Sequence, residues 1–184
     1  HLSRAFMIKL HEEIAVQRSI EDCFRYVSDF RTVSEWDATA RTSSKSTQGP
    51  IGLGTRFIVH CAVGPTKVRL EYEIVDYCPW ASVVLVGKSR FFEVRDVITF
   101  TEKEAKTHIS YTADFKYHLG LGSFENRLEY GMRDMGRKSL EGLKKALDTP
   151  SSPPTLSKCT ARADRWVAPG VAMFSKWGYR RSVA

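Results

Sequence analysis

Apolar and polar residues alternate through most of the first 120 residues, a pattern typical of β-strands that have one face in water. The segment 67–74 (KVRLEYEI) is the clearest case, with apolar side chains on one face and charged side chains on the other. Turn-like stretches separate the alternating segments, so consecutive antiparallel hairpins are the simplest arrangement. The predicted strands cover residues 8–17, 38–47, 55–63, 67–77, 82–90, 92–102 and 106–117.

Three other segments have the apolar spacing of helices. Residues 19–30 begin with Ser19, a good N-cap, and residues 31–37 (RTVSEWD) predict a second short helix. Residues 123–147 predict one long amphipathic helix with a continuous apolar stripe. At 3.6 residues per turn, this helix is long enough to cross a whole sheet.

Three glycines, Gly131, Gly136 and Gly142, interrupt the long helix. Each costs about 1 kcal/mol relative to alanine in a helix interior. Two explanations stay open: the helix packs closely against a neighbouring element, or the glycines leave room for another molecule beneath it.

The stretch GPIGLGTRF (49–57) has three glycines in six residues, which raises the question of a phosphate-binding loop. Its order, G-x-x-G-x-G, differs from the G-x-G-x-x-G dinucleotide fingerprint, and no Lys-Ser or Lys-Thr pair follows. Because a β-branched and aromatic run comes next, we expect a tight turn that leads into a strand.

Positive charge is concentrated at the C-terminal end of the chain. The net charge is +7, but residues 151–184 hold six Lys and Arg residues and only one Asp. The preceding 150 residues are therefore close to neutral, which argues against a nucleic-acid partner. The stretch TPSSPPTLS (149–157) reads as a linker. We predict a globular domain over residues 7–149, followed by a linker and a basic, aromatic tail over residues 150–184.

Three interpretations of this tail stay open. It could be a disordered end, or it could make weak contact with an acidic membrane surface through Arg180 and Arg181. It could also lead into a further domain, since MFSKWGYRR is similar to segments that precede the nucleotide-binding fold in some short-chain dehydrogenases. At the other end we expect the native start at Met7. The oligomeric state is not indicated.

The four cysteines are far apart, and no Cys or His pair has the spacing of a metal site. We therefore expect no metal ion and a reducing, cytoplasmic location. No apolar run approaches the length of a membrane span.

The predicted order is one strand, two short helices, five or six antiparallel strands and one long helix. The apolar face of the sheet and the apolar stripe of the helix must cover each other. A strongly curved sheet around one helix need not fill its interior. We therefore predict an α+β fold: a curved antiparallel sheet of about seven strands wrapped around one long C-terminal helix, with two short helices after the first strand.

The chain contains, in order, the stretches IAVQRSIEDCFRYVSDFRTVSEWD, GPIGLGTRF, LEYEIVDYCPWASVVLVG, DVITFTEKEAKTHISYTADF and LEGLKKAL. Together they resemble the START-like, or SRPBCC, superfamily, which has the helix-grip fold and includes polyketide cyclase/dehydrase and lipid-transport proteins. The resemblance spans about residues 7–147. It implies a deep apolar pocket between the sheet and the long helix, a hydrophobic small-molecule ligand, and no tightly held cofactor or metal.

Three function classes follow from this resemblance. The first is binding or transport of a small hydrophobic ligand, such as a lipid or polyketide, in an internal cavity. The second is a polyketide cyclase/dehydrase-like enzyme that uses a cavity Asp or Tyr as acid/base. The third is a protein-interaction module that uses the outer face of the sheet. We favour the first, and therefore a binding protein over an enzyme.

Asp96 is the first candidate site residue, because it shares its strand phase with Val94 and Ile98 and so belongs to the apolar face. A carboxylate there could contact a ligand or act as general acid/base. A strand bulge, or a pair with Arg95 or Arg69, would instead make it structural. The predicted ligand-binding residues are Phe57, Val59, Leu70, Tyr72, Leu85, Asp96, Tyr111, Phe124, Leu128, Met132 and Met135.

Several other polar and aromatic residues have simpler structural explanations. Tyr72 and Tyr111 lie on inward phases and could donate to a ligand or complete the core. His60 is out of phase with its apolar neighbours, Asp37 suits a helix end, and Trp36 is expected to pack at one end of the sheet. No Ser–His–Asp or Cys–His arrangement can be assembled from the spacing.

Overall fold

The computed structural model describes residues 6–63, 66–118 and 125–149. The helices and strands within these residues follow the predicted order, and a single 3₁₀ turn separates the two short helices. The elements are β1 (Met7–Val16), α1 (Ile20–Ser28), the 3₁₀ turn (Phe30–Thr32), α2 (Val33–Trp36), β2 (Ala40–Lys45), β3 (Arg56–Val63), β4 (Thr66–Cys78), β5 (Ser82–Lys88), β6 (Phe92–Lys103), β7 (Lys106–Tyr117) and α3 (Glu125–Asp148). The predicted 150–184 segment, and with it Arg180 and Arg181, lies outside the described residues.

All seven strands form one antiparallel sheet in the order β1-β7-β6-β5-β4-β3-β2. Strands β2 to β7 are therefore successive neighbours, as the turn pattern predicts, and β1 returns to pair with β7 along its whole length. The predicted α+β fold, a curved antiparallel sheet with a long C-terminal helix, is confirmed.

The first helix closes one end of the inner sheet face. Ser19 caps α1, since its Oγ accepts a hydrogen bond from the backbone N–H of Asp22 at 3.2 Å. The buried side of α1 carries Phe24, whose ring packs edge-on against Phe100 with the ring centroids 5.3 Å apart. This packing covers the inner face of the sheet near the C-terminal end of β6, which is the end away from the β5–β6 hairpin.

The long helix α3 packs along β1 and against α2, with Met132 and Leu143 among its buried side chains. A Cβ at Gly142 would stand 2.2 Å from the carbonyl oxygen of Trp36, so only glycine allows α3 to approach α2 this closely. Gly131 has no atom within 4 Å of that position. Close packing therefore explains Gly142 and does not explain Gly131.

The glycine-rich stretch 49–57 is a turn, as predicted. Gly49 and Gly54 have φ angles of +84° and +78°, which favour glycine over other residues. The backbone N–H of Gly54 donates to the carbonyl of Ile74 at 2.8 Å, and β3 begins two residues later at Arg56. The loop thus joins the sheet directly and does not open a helix, so it lacks the phosphate-binding geometry of a dinucleotide fold.

Candidate functional site

The inner face of the sheet and α3 enclose a cavity of about 500 Å³. This volume lies within the roughly 300–1,000 Å³ of small-molecule sites in proteins. Side chains from β1, β3, β4, β6 and β7, from the α2 region and from α3 form its walls. Ala113 and Ser139 contribute small side chains, which leaves space that larger residues would fill.

Most of the predicted ligand-binding residues line this cavity. They are Val59, Leu70, Tyr72, Asp96, Tyr111, Leu128, Met132 and Met135. Their contact with a ligand stays a prediction.

Two predicted lining residues belong to the solid core, and a third lies outside the described residues. Phe57 and Leu85 are fully buried, and neither lines the cavity. Phe57 packs against the ring of Phe30 with the centroids 6.2 Å apart. Strand alternation identifies the inward side of a sheet, but it does not tell whether an inward side chain meets another side chain or open space. Phe124 is the residue outside the described part of the chain.

Asp96 points from β6 into the cavity, as its strand phase predicts, and only 2% of its surface is exposed. It is paired with Leu85 of β5 on one side and with Ala113 of β7 on the other, and neither register is shifted at this point. The alternative of a bulge that turns the side chain outward is therefore excluded.

Neither arginine considered for Asp96 is its counter-ion. Arg69 pairs with a glutamate of its own strand, and Arg95 is exposed on the outer face. Burial raises the pKa of Asp96 from its ordinary 3.8 to about 7, while the Tyr72 and Tyr111 hydroxyls, as donors to the ionised form, hold that pKa lower than burial alone would. Near neutral pH, this carboxyl can therefore both donate and accept a proton.

Tyr72 reaches towards Asp96 by lying across β5. Tyr72 on β4 is opposite Gly87 on β5, which in turn is opposite Val94 on β6. A Cβ at Gly87 would stand 2.5 Å from the Tyr72 ring, so a larger residue would push the ring away. The sequence interpretation missed Gly87, although a glycine inside a strand is a known signal of close approach by another group.

Tyr111 and Trp36 extend the aromatic wall of the cavity on the other side of Asp96. Their rings meet edge-on with centroids 6.2 Å apart, and the Trp36 indole N–H donates to the Thr32 hydroxyl at 3.3 Å. Burial raises the pKa of both Tyr72 and Tyr111 well above the ordinary value. Their hydroxyls therefore stay protonated and remain hydrogen-bond donors at neutral pH.

Two further carboxylates line the cavity, and the sequence interpretation had not assigned them to it. Glu12 shares the inward phase of Ile8 and Leu10 on β1, so alternation could have found it. Asp37 ends α2, as predicted, and its Oδ1 accepts hydrogen bonds from Thr39 N at 2.8 Å and from Ser139 Oγ at 3.0 Å. Its cavity position depends on where α3 docks, which no local pattern reveals.

The remaining candidates have structural roles or low reactivity. His60 is exposed on the outer face and shares a hydrogen bond with the Thr42 hydroxyl at 3.2 Å. Cys61 lines the cavity, but burial raises the pKa of its thiol to about 11, which keeps the thiol protonated and weakly nucleophilic.

Among the residues that the structure describes, no three His, Cys, Asp or Glu side chains are grouped to hold a metal ion. None of the described helices has the length and apolar character to cross a lipid bilayer.

The basic residues that line the cavity lie at its other end from Asp96. Arg90 and His118 line it beside Phe91, at the β5–β6 hairpin and the end of β7. Phe92, next to them, precedes Asp96 by four residues on β6, a distance of about 13 Å at 3.3 Å per residue. The cavity therefore has a basic, aromatic end and an acidic end.

A family model described as polyketide cyclase/dehydrase and lipid transport matches residues 7–148. The chain belongs to this family. The match agrees with the START-like resemblance inferred from the sequence, which is confirmed. Comparison with curated protein sequences gives no match.

Solved structures with the same fold include three from bacteria. TTHA0849 from Thermus thermophilus has a TM-score of 0.65 and 16% identity, over 78% of this chain and 99% of that one. A START superfamily protein from Mycobacterium smegmatis has a TM-score of 0.63 and 9% identity, over 79% and 99%. The ZhuI aromatase/cyclase from Streptomyces sp. R1128 has a TM-score of 0.61 and 10% identity, over 77% and 91%. At these identities the likeness concerns the fold alone.

Proposed function

We propose that this family member binds a small hydrophobic molecule, such as a lipid or polyketide, in the cavity between the sheet and α3. The observation that carries the proposal is the cavity itself, about 500 Å³ in volume and walled mainly by aliphatic and aromatic side chains. Burial of apolar ligand surface contributes about 25 cal/mol per Å². An empty space of this size is costly for a core, so a role in binding accounts for its presence better than packing does.

Polar groups at one end would set the orientation of the ligand. Asp96, Tyr72 and Tyr111 come from three different strands and present a carboxyl and two hydroxyls to the same part of the cavity. Ligand sites in proteins typically combine an apolar wall with a few such fixed polar groups.

A second candidate function is that of an enzyme of the cyclase/dehydrase kind. It is favoured by the pKa of Asp96, which burial raises to about 7, the range that suits a general acid/base at neutral pH. The family description covers both activities, and one protein of similar fold is named as an aromatase/cyclase. Asp96 would then move a proton at the ligand, with the two tyrosines as hydrogen-bond donors.

Native mass spectrometry of the protein as purified from cells tests the binding proposal. We expect a co-purified small molecule at up to one per chain, released on unfolding. If no such molecule appears and no hydrophobic probe binds, the proposal fails, and the third option, an interaction module that uses the outer sheet face, gains support.

Asp96→Asn separates the carrier from the enzyme, because asparagine keeps the shape of the side chain and removes the titrating proton. A carrier should keep affinity for its ligand within about tenfold, which corresponds to about 1.4 kcal/mol. An enzyme should lose turnover while it still binds substrate. Asp76→Asn, at an exposed position of β4, is the matched control. The scattered cysteines support the cytoplasmic location that we predict for this protein.

A further inference from the structure

The acidic end of the cavity has an unusual balance of charge. Asp96, Asp37 and Glu12 all line the cavity, and they come from β6, the end of α2 and β1. Glu12 is opposite Tyr111 on β7, and the charge of Asp37 acts on Asp96, which places both near it. Among the described residues, no lysine, arginine or histidine forms an ion pair with any of the three. Asp96 is buried, whereas Asp37 and Glu12 are half-buried. A buried carboxylate usually has such a partner, because an uncompensated charge in an apolar site is costly.

The charged groups that act most strongly on Asp96 are carboxylates. The groups that act on it are the Tyr72 hydroxyl from β4, the Tyr111 hydroxyl and Asp114 from β7, and Asp37. The charge of Asp37 disfavours its ionised form, in addition to burial; Asp114 acts in the same direction from the outer face of the sheet, where Lys9 lies 3.9 Å from it. A cation that entered this end would therefore relieve an existing repulsion.

Aromatic rings form the wall beside these carboxylates. Phe30, Trp36, Tyr72 and Tyr111 all line the cavity, with the Phe30 and Tyr72 centroids 4.7 Å apart. The faces of such rings attract ammonium groups, and pockets built from several of them are used in proteins to bind alkylated amines. The aromatic wall is an observation independent of the carboxylates, and it favours the same kind of ligand group.

We infer that the acidic end of the cavity binds a protonated amine carried by the hydrophobic ligand, with Asp96 as its counter-ion. This inference rests on the proposed function and narrows the ligand to apolar molecules that end in an ammonium group. A carboxylate has four lone-pair positions, so Asp96 can accept from the ligand as well as from both tyrosines. Ligands that end in a carboxylate should be excluded from this end by repulsion.

Calorimetric titration with decylamine, decanol and decanoic acid tests the inference, since the three probes share one alkyl chain. We expect decylamine to bind at least tenfold more tightly than decanol. Any binding of decanoic acid should place its carboxylate at the basic end, beside Arg90, and should not weaken in Asp96→Asn. Asp96→Asn should reduce the decylamine affinity about tenfold and leave decanol within about threefold. Asp76→Asn should change neither. Circular dichroism establishes that both variants are folded.

A measurement on the unaltered protein gives an independent test. Because the bound amine requires ionised Asp96, whose pKa is about 7, its affinity should rise about tenfold between about pH 6 and about pH 8. The affinity for decanol should not rise in this interval.

The outcomes separate the two proposals. If the probes bind and the amine has no advantage over the alcohol, the inference is overturned and the proposed function stands. If no probe binds, the proposed function fails and the inference fails with it.

Discussion

Asp96 should make the folded protein less stable as the pH rises, because its proton is released much later in the folded chain than in the unfolded one. The unfolded carboxyl ionises near 3.8, whereas burial raises its pKa to about 7 in the folded state. Below about pH 4 both states hold the proton and the stability effect is absent. Between these pKa values only the unfolded state ionises, so the free energy of unfolding falls as pH rises; above about pH 7 the loss is complete.

The size of this loss follows from the same two values. Each unit between them corresponds to 1.36 kcal/mol, so the change from 3.8 to about 7 amounts to about 4 kcal/mol. This is a large share of the roughly 5–15 kcal/mol that stabilises a typical domain. Asp96→Asn removes the titrating carboxyl and keeps the shape of the side chain. As the pH is raised, the free energy of unfolding of the variant should therefore increase relative to that of the unaltered protein by up to this amount.

Urea denaturation of both proteins at about pH 4 and about pH 8 measures the effect as a difference of differences, in which the titration of all other groups largely cancels. We expect the free energy of unfolding of Asp96→Asn, relative to that of the unaltered protein, to be about 2–4 kcal/mol higher at about pH 8 than at about pH 4. For Asp76→Asn, at an exposed site, the difference in free energy of unfolding from the unaltered protein should be the same at both pH values. An equal difference at both pH values for Asp96→Asn would mean that Asp96 ionises normally in the fold, and the reasoning about its burial would be refuted.

Three glycine substitutions test the packing of β5 and α3. Gly87→Ala should cost about 1–3 kcal/mol in urea denaturation, because its Cβ would stand 2.5 Å from the Tyr72 ring. In a Tyr72→Ala background, Gly87→Ala should change the free energy of unfolding very little. If the two substitutions instead destabilise the protein additively, the Tyr72 ring does not lie over this glycine. Gly142→Ala should lower the Tm, since the clash with the Trp36 carbonyl exceeds the helix-propensity gain of about 1 kcal/mol. Gly131→Ala should raise the Tm, because a Cβ at this position meets no other atom. A lower Tm would mean that another group does contact this position.

The fold could be predicted from the sequence because its strands carry clear period-two patterns. β7 spans Lys106–Tyr117, the range that alternation predicts, and β4 and β6 differ from prediction by one residue at one or both ends. β1 alternates weakly, and Glu12 was overlooked there although it shares the phase of Leu10. Local pattern thus determined which elements form and which face of each turns inward.

The shape of the site could be predicted only in part, because it depends on how far each inward side chain is from its neighbours across the fold. Asp96 was identified because a charge in an apolar phase is visible in one strand. Phe57 shares the inward direction but meets the Phe30 ring, so it fills space where a lining residue was expected. Asp37 reaches the cavity only because α3 docks against α2 and brings Ser139 to it. Such distances are set by packing between elements and are absent from any single segment.

The most direct test of the central claim is to fill the hollow and measure whether binding is lost. Ala113 lines the cavity with a small side chain, so Ala113→Leu should occupy part of it, while Ala81→Leu adds the same atoms at an exposed turn. The assay is titration with a fluorescent hydrophobic probe, on variants whose fold is established by circular dichroism. We predict one probe per chain for the unaltered protein and for Ala81→Leu, and at least a tenfold loss of affinity for Ala113→Leu. Unchanged binding by Ala113→Leu would contradict the claim that the ligand lies between the sheet and α3.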